Sequence, residues 1–218
     1  MEGTIIITDS QHSGRGQRGN QWVSQPGKNL TFSLILKPSF LKADQQFRLT
    51  MVMSLAIADY VQNKVQVPVK IKWPNDILVK DRKVCGILIE NTLSGDSIQS
   101  AVAGIGLNVN QDSFPNLNAT SIKNETNVDQ ILDKELSVLL EAIEMRYQQL
   151  RGGKVSLLET DYLSKLYRKD ELHPFNTLHG VINAIIEGVD SRGRLILQSL
   201  EGKQYYDLRE ISFVDKDL

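Results

Sequence analysis

The sequence has little of the composition that marks secreted, membrane or nucleic-acid-binding proteins. Its single cysteine, Cys85, excludes an intramolecular disulfide framework and suits a reducing compartment. No apolar run approaches the roughly 20 residues of a membrane-spanning helix, and no basic stretch leads into an apolar segment at the N-terminus. Lys and Arg (25) nearly balance Asp and Glu (26), so any basic site has to be local. These absences predict a cytoplasmic protein that binds neither nucleic acid nor membranes.

The remaining composition is that of a globular protein with a core. Of the 218 residues, 41% are hydrophobic and 23% are charged, which is ordinary for such a protein. Strand and helix patterns mix irregularly through residues 1–172, whereas residues 173–218 hold only short β-type runs between turns. We therefore predict an α+β fold, with a mixed β-sheet and packed helices over 1–172 and a small SH3-like β-barrel over 173–218.

Strand patterns in the first region follow β-branched composition and period-two alternation. Residues 3–8 predict a buried strand, and residues 100–109, which are small and apolar, predict a central one. Charged residues 81–83 predict the turn of a hairpin between strands at 77–80 and 84–93. Further strands are predicted at 29–36 and 69–72.

Helix patterns follow apolar residues at intervals of three and four. A helix is predicted at residues 44–63 with Asp44 as its cap, and its apolar stripe consists of Phe47, Met51, Leu55, Ala58 and Val61. Further helices are predicted at residues 128–150 and 154–168. Residues 118–127 are polar and predict a loop.

The segment "GRGQRG" contains Gly14, Gly16 and Gly19 in the order G-x-G-x-x-G, which is the dinucleotide-binding fingerprint. That fingerprint requires a helix opening within it and a carboxylate about 20 residues later. The residues after Gly19 are poor helix formers, no carboxylate occurs until Asp44, and the P-loop pattern is also absent. Two interpretations remain: an anion-binding loop in which arginines grip phosphate or carboxylate oxygens, or a solvated surface turn.

Two other segments carry polar groups at strand ends. The segment "KWPNDI" at residues 72–77 places a cation, an aromatic ring, an amide and a carboxylate in succession. The segment "GIGLNV" at residues 104–109 ends a small-residue strand in an amide. Each has a purely structural alternative, a hydrophobic plug for the first and close sheet packing for the second. Their combination with the glycine loop is more specific than any of them alone.

Together, "GRGQRGNQWVSQPGKNLTFS", "KWPNDI", "DRKVCGILIE" and "GIGLNVN" resemble biotin protein ligases, and "REISFV" resembles the end of that family's C-terminal barrel. The resemblance implies a biotin- and ATP-binding catalytic domain over residues 1–172. It implies a two-step reaction that uses biotin, ATP and Mg²⁺ and passes through biotinyl-5'-AMP. The partner it implies is the biotin carboxyl carrier protein of acetyl-CoA carboxylase, whose lysine is biotinylated.

The resemblance also assigns roles to particular residues. It implies a catalytic lysine at Lys83, supported by Arg15, and a tentative metal ligand at Asp76. The biotin contacts it implies are Gln11, Gly14, Arg15, Gly16, Lys83 and Gly86. The ATP or adenylate contacts it implies are Arg15, Gly16, Arg18, Trp22, Asn75, Lys83 and Asn108.

Departures from the family pattern leave alternatives open. Gln17 and Asn20 stand where many relatives carry arginine, which predicts weaker retention of the adenylate. A Ser-Thr-Asn segment and a helix precede the first strand in the family, and the sequence starts after them, which leaves a truncated chain, a misassigned start or an incomplete site as alternatives. The sequence also shows no winged helix at its N-terminus, so the expectation is a monofunctional ligase without a repressor role. A lipoate or octanoate ligase and a biotin-binding protein without turnover are the alternatives. Either a monomer or a homodimer is compatible with the sequence.

Overall fold

The computed structural model describes residues 1–16 and 21–214. Within these residues the strands of the first region are Ile5–Thr8 (β1), Gly14–Arg15 (β2), Gln21–Trp22 (β3), Leu30–Leu36 (β4), Val69–Lys72 (β5), Asp76–Val79 (β6), Arg82–Ser94 (β7) and Ser97–Leu107 (β8). The α-helices are Phe47–Gln62 (α1), Ile122–Thr126 (α2), Leu132–Arg151 (α3) and Val155–Lys165 (α4). The remaining strands are Leu172–Thr177 (β9), Gly180–Val189 (β10), Leu195–Ser199 (β11), Gly202–Tyr206 (β12) and Ile211–Phe213 (β13).

Six strands form one antiparallel sheet in the order β1-β4-β8-β7-β6-β5. The strand predicted to be central, β8, lies inside the sheet, as its small apolar composition indicated. Along β4 the side chains alternate between buried and half-buried, so the two sheet faces differ. On the buried face, leucine and phenylalanine side chains point into the core. The half-buried side chains point to the opposite face.

The first long helix, α1, lies against the buried face and in turn contacts α3 and α4. All five residues of its predicted stripe are buried, which confirms that face. The helix also buries residues outside the stripe, among them Leu49, Val52 and Ile57, because it is enclosed by the sheet on one side and helices on the other. The predicted cap was wrong, since Asp44 lies in a separate 3-10 turn, Ala43–Gln45, and Gln46 precedes α1.

Two other local predictions were wrong. Strand β1 was predicted to be buried, yet Ile6 is 61% exposed, because β1 is an edge strand that pairs only with β4. Residues 118–127 were predicted to be a loop, but they contain α2. Ser121 caps this short helix by accepting a hydrogen bond from the Asn124 backbone amide at 3.1 Å, and Asn127 ends it in a left-handed conformation. A polar segment can form a short helix when it contains its own capping residue, as Ser121 is here.

The C-terminal strands form a second antiparallel sheet in the order β12-β11-β10-β9-β13. The predicted α+β class is confirmed, and five short antiparallel strands are compatible with the small SH3-like barrel. Among the described residues, no helix is long and apolar enough to cross a membrane.

The two sheets share one hydrophobic core. The turn between β10 and β11 reaches the first region, where the carbonyl of Gly193 accepts a hydrogen bond from Trp73 Nε1 at 2.9 Å. Gly193 has a φ of +92°, and a Cβ there would lie 2.8 Å from Phe47 Cβ. A side chain at this position would therefore push the turn away from α1, to which Phe47 belongs.

His173 lies where the second sheet meets the first region. It is 6% exposed and its ring contacts Phe175 and Phe213, with centroid distances of 5.5 and 6.2 Å. Burial lowers the pKa of His173, and the nearby charge of Arg168 lowers it further. The unfolded chain therefore binds a proton at this position more readily than the folded chain.

We expect His173 to make the free energy of unfolding fall as the pH drops below the usual histidine pKa, because protonation then favours the unfolded chain. The His173→Gln variant should lose that part of the pH dependence, measured by urea denaturation between about pH 7 and pH 5. His179→Gln, at an exposed histidine, is the control and should keep the wild-type slope. Equal slopes in all three proteins would contradict the assignment.

Candidate functional site

A cavity of about 460 Å³ lies on the six-stranded sheet and extends to the second sheet. Its floor is the face whose side chains alternate with those buried against α1. Many of these side chains are small or absent, and the contributing residues are Thr31 and Ser33 of β4, Gly86 and Leu88 of β7, and Gly104 and Gly106 of β8. The sheet therefore offers exposed backbone on this face rather than a layer of side chains.

Trp22 covers part of this floor. A Cβ at Gly106 would lie 2.6 Å from the Trp22 Nε1 atom, and a Cβ at Gly86 would lie 3.2 Å from Trp22 Cζ3. The indole ring can rest on the sheet only because both positions lack a side chain. Its Nε1 is buried and has no hydrogen-bond partner among the described residues. Trp22 thus presents an unsatisfied donor beside the cavity.

The hairpin of β2 and β3 carries Trp22 over the sheet. Gly14 pairs with Trp22, and a Cβ on Gly14 would collide with the Trp22 carbonyl oxygen. Gly14 is not among the cavity-lining residues, so its contact in this structure is with the hairpin itself. Gln11, Arg15 and Gly16 do line the cavity. Arg18, together with Gln17 and Asn20, lies outside the described residues.

Lys83 projects over the floor because of an irregularity in β7. In the ladder with β6, Ile77 pairs with Cys85 but Leu78 pairs with Lys83, so Val84 is an extra residue that forms a bulge. Lys83 and Gly86 are three residues apart and would face opposite sides of a regular strand. The bulge shifts the alternation by one residue and places both on the cavity side. The predicted turn at 81–83 was wrong in this respect, since Lys83 belongs to the strand.

The Lys83 ammonium lies between an anion and an aromatic ring. Its Nζ is 2.7 Å from Asp76 Oδ1 and 5.7 Å from the centroid of the Trp22 ring. The Lys83 and Asp76 side chains are 35% and 31% exposed, so a ligand in the cavity can reach both. This arrangement holds one cation above the glycine floor without removing it from solvent.

Three hydrogen bonds fix the segment that bears Asn75 and Asp76. Besides the bond from Trp73 to Gly193, the hydroxyl of Tyr162 donates to the carbonyl of Pro74 at 3.0 Å. The Asn75 side chain is buried and donates to the carbonyl of Ile87. Asn75 and Asp76 both line the cavity, and their backbone is anchored by α4, β7 and the second sheet.

Asn108 is predicted to contact a nucleotide, but it does not line the cavity. It is 1% exposed, and its Nδ2 donates to the carbonyl of Thr120 at 3.0 Å. Its Oδ1 has no partner among the described residues. In this structure the side chain joins the end of β8 to the segment before α2, and its contact with a nucleotide stays a prediction.

The second sheet supplies a wall that the sequence reasoning missed. Lys72 Nζ lies 5.1 Å from the centroid of the Phe213 ring, which brings the end of β5 against β13. The C-terminal residues that line the cavity are Phe175, Leu195, Leu208, Ile211, Ser212 and Phe213. The segment "REISFV" includes Ile211, Ser212 and Phe213, but it did not place them in the cavity, because every cavity residue of the first region is at least 69 positions away in sequence.

Cys85 lies in the core, whereas Asp76, the predicted metal ligand, lines the cavity. Cys85 is fully buried, and burial raises the pKa of its thiol, so its prediction as a packed small residue is confirmed. Among the described residues, no three His, Cys, Asp or Glu side chains form a metal-binding cluster. A carboxylate such as Asp76 is a donor that Mg²⁺ accepts together with nucleotide phosphates, and the role of Asp76 as a metal ligand stays a prediction.

The site therefore combines a glycine-rich floor with localised charge. Arg15, Lys72 and Lys83 are the cations in its lining, and Asp76 and Glu90 are the anions. Cations that converge near exposed backbone stabilise carboxylate and phosphate groups. The glycine floor admits a flat apolar group close to the sheet. Such a site can bring an organic acid and a phosphate ester together.

We expect Gly106→Ala to displace the Trp22 indole, because the added methyl group overlaps it. Overpacking of this kind costs about 1–3 kcal/mol of unfolding free energy, and the near-UV circular dichroism of Trp22 should change. Gly104→Ala is the matched control, since its Cβ would meet only the Leu88 carbonyl at an ordinary 3.5 Å. Equal changes in both variants would contradict this packing.

The comparisons with known proteins agree with this geometry. Residues 1–108 match the Biotin/lipoate A/B protein ligase family, and residues 175–214 match the Biotin protein ligase C terminal domain. The chain is 30% identical over 220 residues to a biotin--[acetyl-CoA-carboxylase] ligase of Paracoccus denitrificans, covering 95% of this chain and 89% of that protein. It is 31% identical to the bifunctional ligase/repressor BirA of Bacillus spizizenii, covering 92% of this chain but only 63% of that protein's length.

Solved structures give the same result. The biotin protein ligase of Aquifex aeolicus in complex with biotin and ATP superposes with a TM-score of 0.83 at 27% identity, covering 99% of this chain and 90% of that one. The sequence relatives, the structural superposition and the glycine-floored cavity point to one assignment. The chain belongs to the biotin protein ligase family.

Proposed function

We propose that the chain is a biotin--[acetyl-CoA-carboxylase] ligase. It activates biotin with ATP to biotinyl-5'-AMP and then transfers biotin to a lysine of the biotin carboxyl carrier protein. The observation that carries the proposal is the placement of Lys83 Nζ above the glycine floor, 2.7 Å from Asp76 Oδ1, in one cavity with Arg15. Membership in the family and the named relatives support it.

In the first step a biotin carboxylate oxygen attacks the α-phosphorus of ATP, and the bond to the β-phosphate oxygen breaks to release pyrophosphate. Both reactants are anions, so their approach requires fixed positive charge. Lys83 supplies an ammonium that already lies in the cavity, and Asp76 orients it. Arg15 adds a guanidinium that can pair with phosphate or carboxylate oxygens in bidentate geometry. Mg²⁺, when bound with ATP, would be held by Asp76 and neutralise phosphate charge.

In the second step the ε-amine of the carrier lysine attacks the acyl carbon of biotinyl-5'-AMP. An amide bond forms, the acyl–phosphate bond breaks, AMP leaves and the amine releases a proton. The same cations that hold the adenylate phosphate stabilise the departing AMP. Trp22, which lies over the floor, limits access of water to the mixed anhydride from that side.

The two substrates divide the cavity by its chemistry. We place biotin on the floor around Gly104, which the Trp22 indole leaves uncovered and where a flat bicyclic ring fits close to the backbone. We place the nucleotide toward Asn75 and the wall formed by β13, with Gln11, Gly16 and Gly86 between them. In this proposal residues 1–172 form the catalytic domain, and residues 173–218 form a barrel domain that closes its nucleotide end.

We expect purified protein to label a carrier domain with biotin in the presence of biotin, ATP and Mg²⁺, detected with streptavidin. The Lys83→Ala variant should form biotinyl-5'-AMP about 10²–10³-fold more slowly, as removal of a fixed charge at a reacting phosphate typically does. Lys203→Ala is the control, because Lys203 pairs with Glu187 on the second sheet away from the cavity.

Three outcomes would oppose the proposal. Labelling by lipoate or octanoate in place of biotin would change the substrate class. Biotin binding by calorimetry without pyrophosphate release would indicate a binding protein. Unchanged adenylate formation in Lys83→Ala would remove that residue from the reaction.

A further inference from the structure

We propose that Glu125 is a positioning residue that holds Lys83 over the cavity, although Glu125 itself does not line it. Only the effect of Glu125 on turnover rests on the proposed function. Glu125 lies on α2, in the segment that the sequence predicts to be a loop. Its carboxylate joins the two stretches of chain that flank the backbone of Lys83.

The Glu125 carboxylate is almost completely enclosed by donors. Its side chain is 2% exposed, and it accepts a hydrogen bond from the Thr120 hydroxyl at 2.7 Å. Lys80 Nζ lies 3.2 Å from Glu125 Oε2, and Arg82 Nη2 donates to Glu125 Oε1. One buried anion thus binds two cations of the β6–β7 hairpin and one hydroxyl of another segment.

These partners surround Lys83 in sequence and in space. Lys80 lies in the hairpin turn, and Arg82 is the first residue of β7, directly before Lys83. On the other side, the Lys83 amide donates to the carbonyl of Asn118 at 3.0 Å, and the Thr120 amide donates to the carbonyl of Lys83 at 2.9 Å. Glu125 therefore connects the turn before Lys83 to the segment that hydrogen-bonds its backbone.

This connection matters because the strand ladder alone does not fix Lys83. The bulge at Val84 lies directly after it, and a bulge interrupts the ladder and leaves its extra residue unpaired. The hairpin turn ends one residue before it, at Asp81, and Lys80 in that turn has a positive φ of 51°. Between a turn and a bulge, the segment through 118–120 is the second support for the Lys83 backbone.

The charge on Glu125 is favoured where it lies. Burial alone raises the pKa of this carboxyl, but hydrogen bonds from Thr120 and Lys80 and the charge of Arg82 outweigh burial and lower it. Glu125 is therefore ionised in the folded protein. Neutral glutamine at this position would leave two cations without their shared anion.

The experiment compares Glu125→Gln with Asp161→Asn, a matched loss of a carboxylate that pairs with Arg146 in the helical layer. Glu125→Gln should lower kcat of adenylate formation about 10- to 100-fold, since a displacement of roughly 1 Å in a catalytic group can cost that much, and should change KM for biotin less. Asp161→Asn should lower the free energy of unfolding but leave kcat unchanged.

A second pair of variants shows whether Glu125 acts through Lys83. In the Lys83→Ala background, Glu125→Gln should cause no further loss of kcat in single-turnover measurements. The proposal would be overturned if Glu125→Gln lowered kcat by the same factor in the wild-type and Lys83→Ala backgrounds, or if it lowered kcat in neither. If Glu125→Gln does not fold, Glu125→Asp replaces it in the same cycle, because the shorter side chain keeps the charge but cannot reach both segments.

Hydrogen exchange requires no substrate, so it tests the positioning role of Glu125 independently of the proposed function. In native-state hydrogen exchange, Glu125→Gln should accelerate the Lys83 and Thr120 amides relative to Asp161→Asn, while amides of β8 stay protected. If the wild-type protein makes no adenylate, the proposed function fails, and the exchange result still decides whether Glu125 holds Lys83. Equal exchange at Lys83 in the two variants would overturn the positioning role.

Discussion

The bulge at Val84 decides which side of the six-stranded sheet carries the charged chemistry. A regular β7 would direct either Lys83 or Gly86 into the helical layer, since they are an odd number of residues apart. With the bulge, the ammonium, the glycine and Asp76 of the neighbouring strand share one face. The cation, its counter-ion and the open floor beneath them therefore all depend on one extra residue in one strand.

The two faces of the sheet carry different side chains, and this difference supports the arrangement. One face is filled with large apolar side chains against α1, which is itself enclosed by α3 and α4. That packing makes the sheet a rigid base. The other face replaces side chains with hydrogen at Gly86, Gly104 and Gly106, so the backbone itself forms the binding surface. Trp22 lies on that surface without a hydrogen-bond partner for its indole nitrogen.

The sequence predicted those features that depend on local patterns. Alternation located β4 and β5, and the three- and four-residue spacing located α1. Rejection of the dinucleotide fingerprint agrees with the strand pairing of Gly14 and Arg15 with Trp22 and Gln21. Motif resemblance named cavity residues such as Arg15 and Lys83, whose roles stay predictions. The bulge, the exposure of β1 and the contribution of Phe213 depend on pairing partners distant in sequence. The role of Asn108 also stays a prediction, and the motif did not indicate that its Nδ2 donates to the carbonyl of Thr120.

The hydrogen bond from Trp73 to Gly193 spans 120 positions of the chain. This separation affects the order in which the parts of the fold can form during synthesis. During synthesis the segment bearing Asn75 and Asp76 emerges well before its anchor, which follows 120 residues later. Since contacts of such long sequence separation form late, the sheet and α1 can assemble while the cavity still lacks a wall. The complete cavity exists only after the second sheet has also left the ribosome.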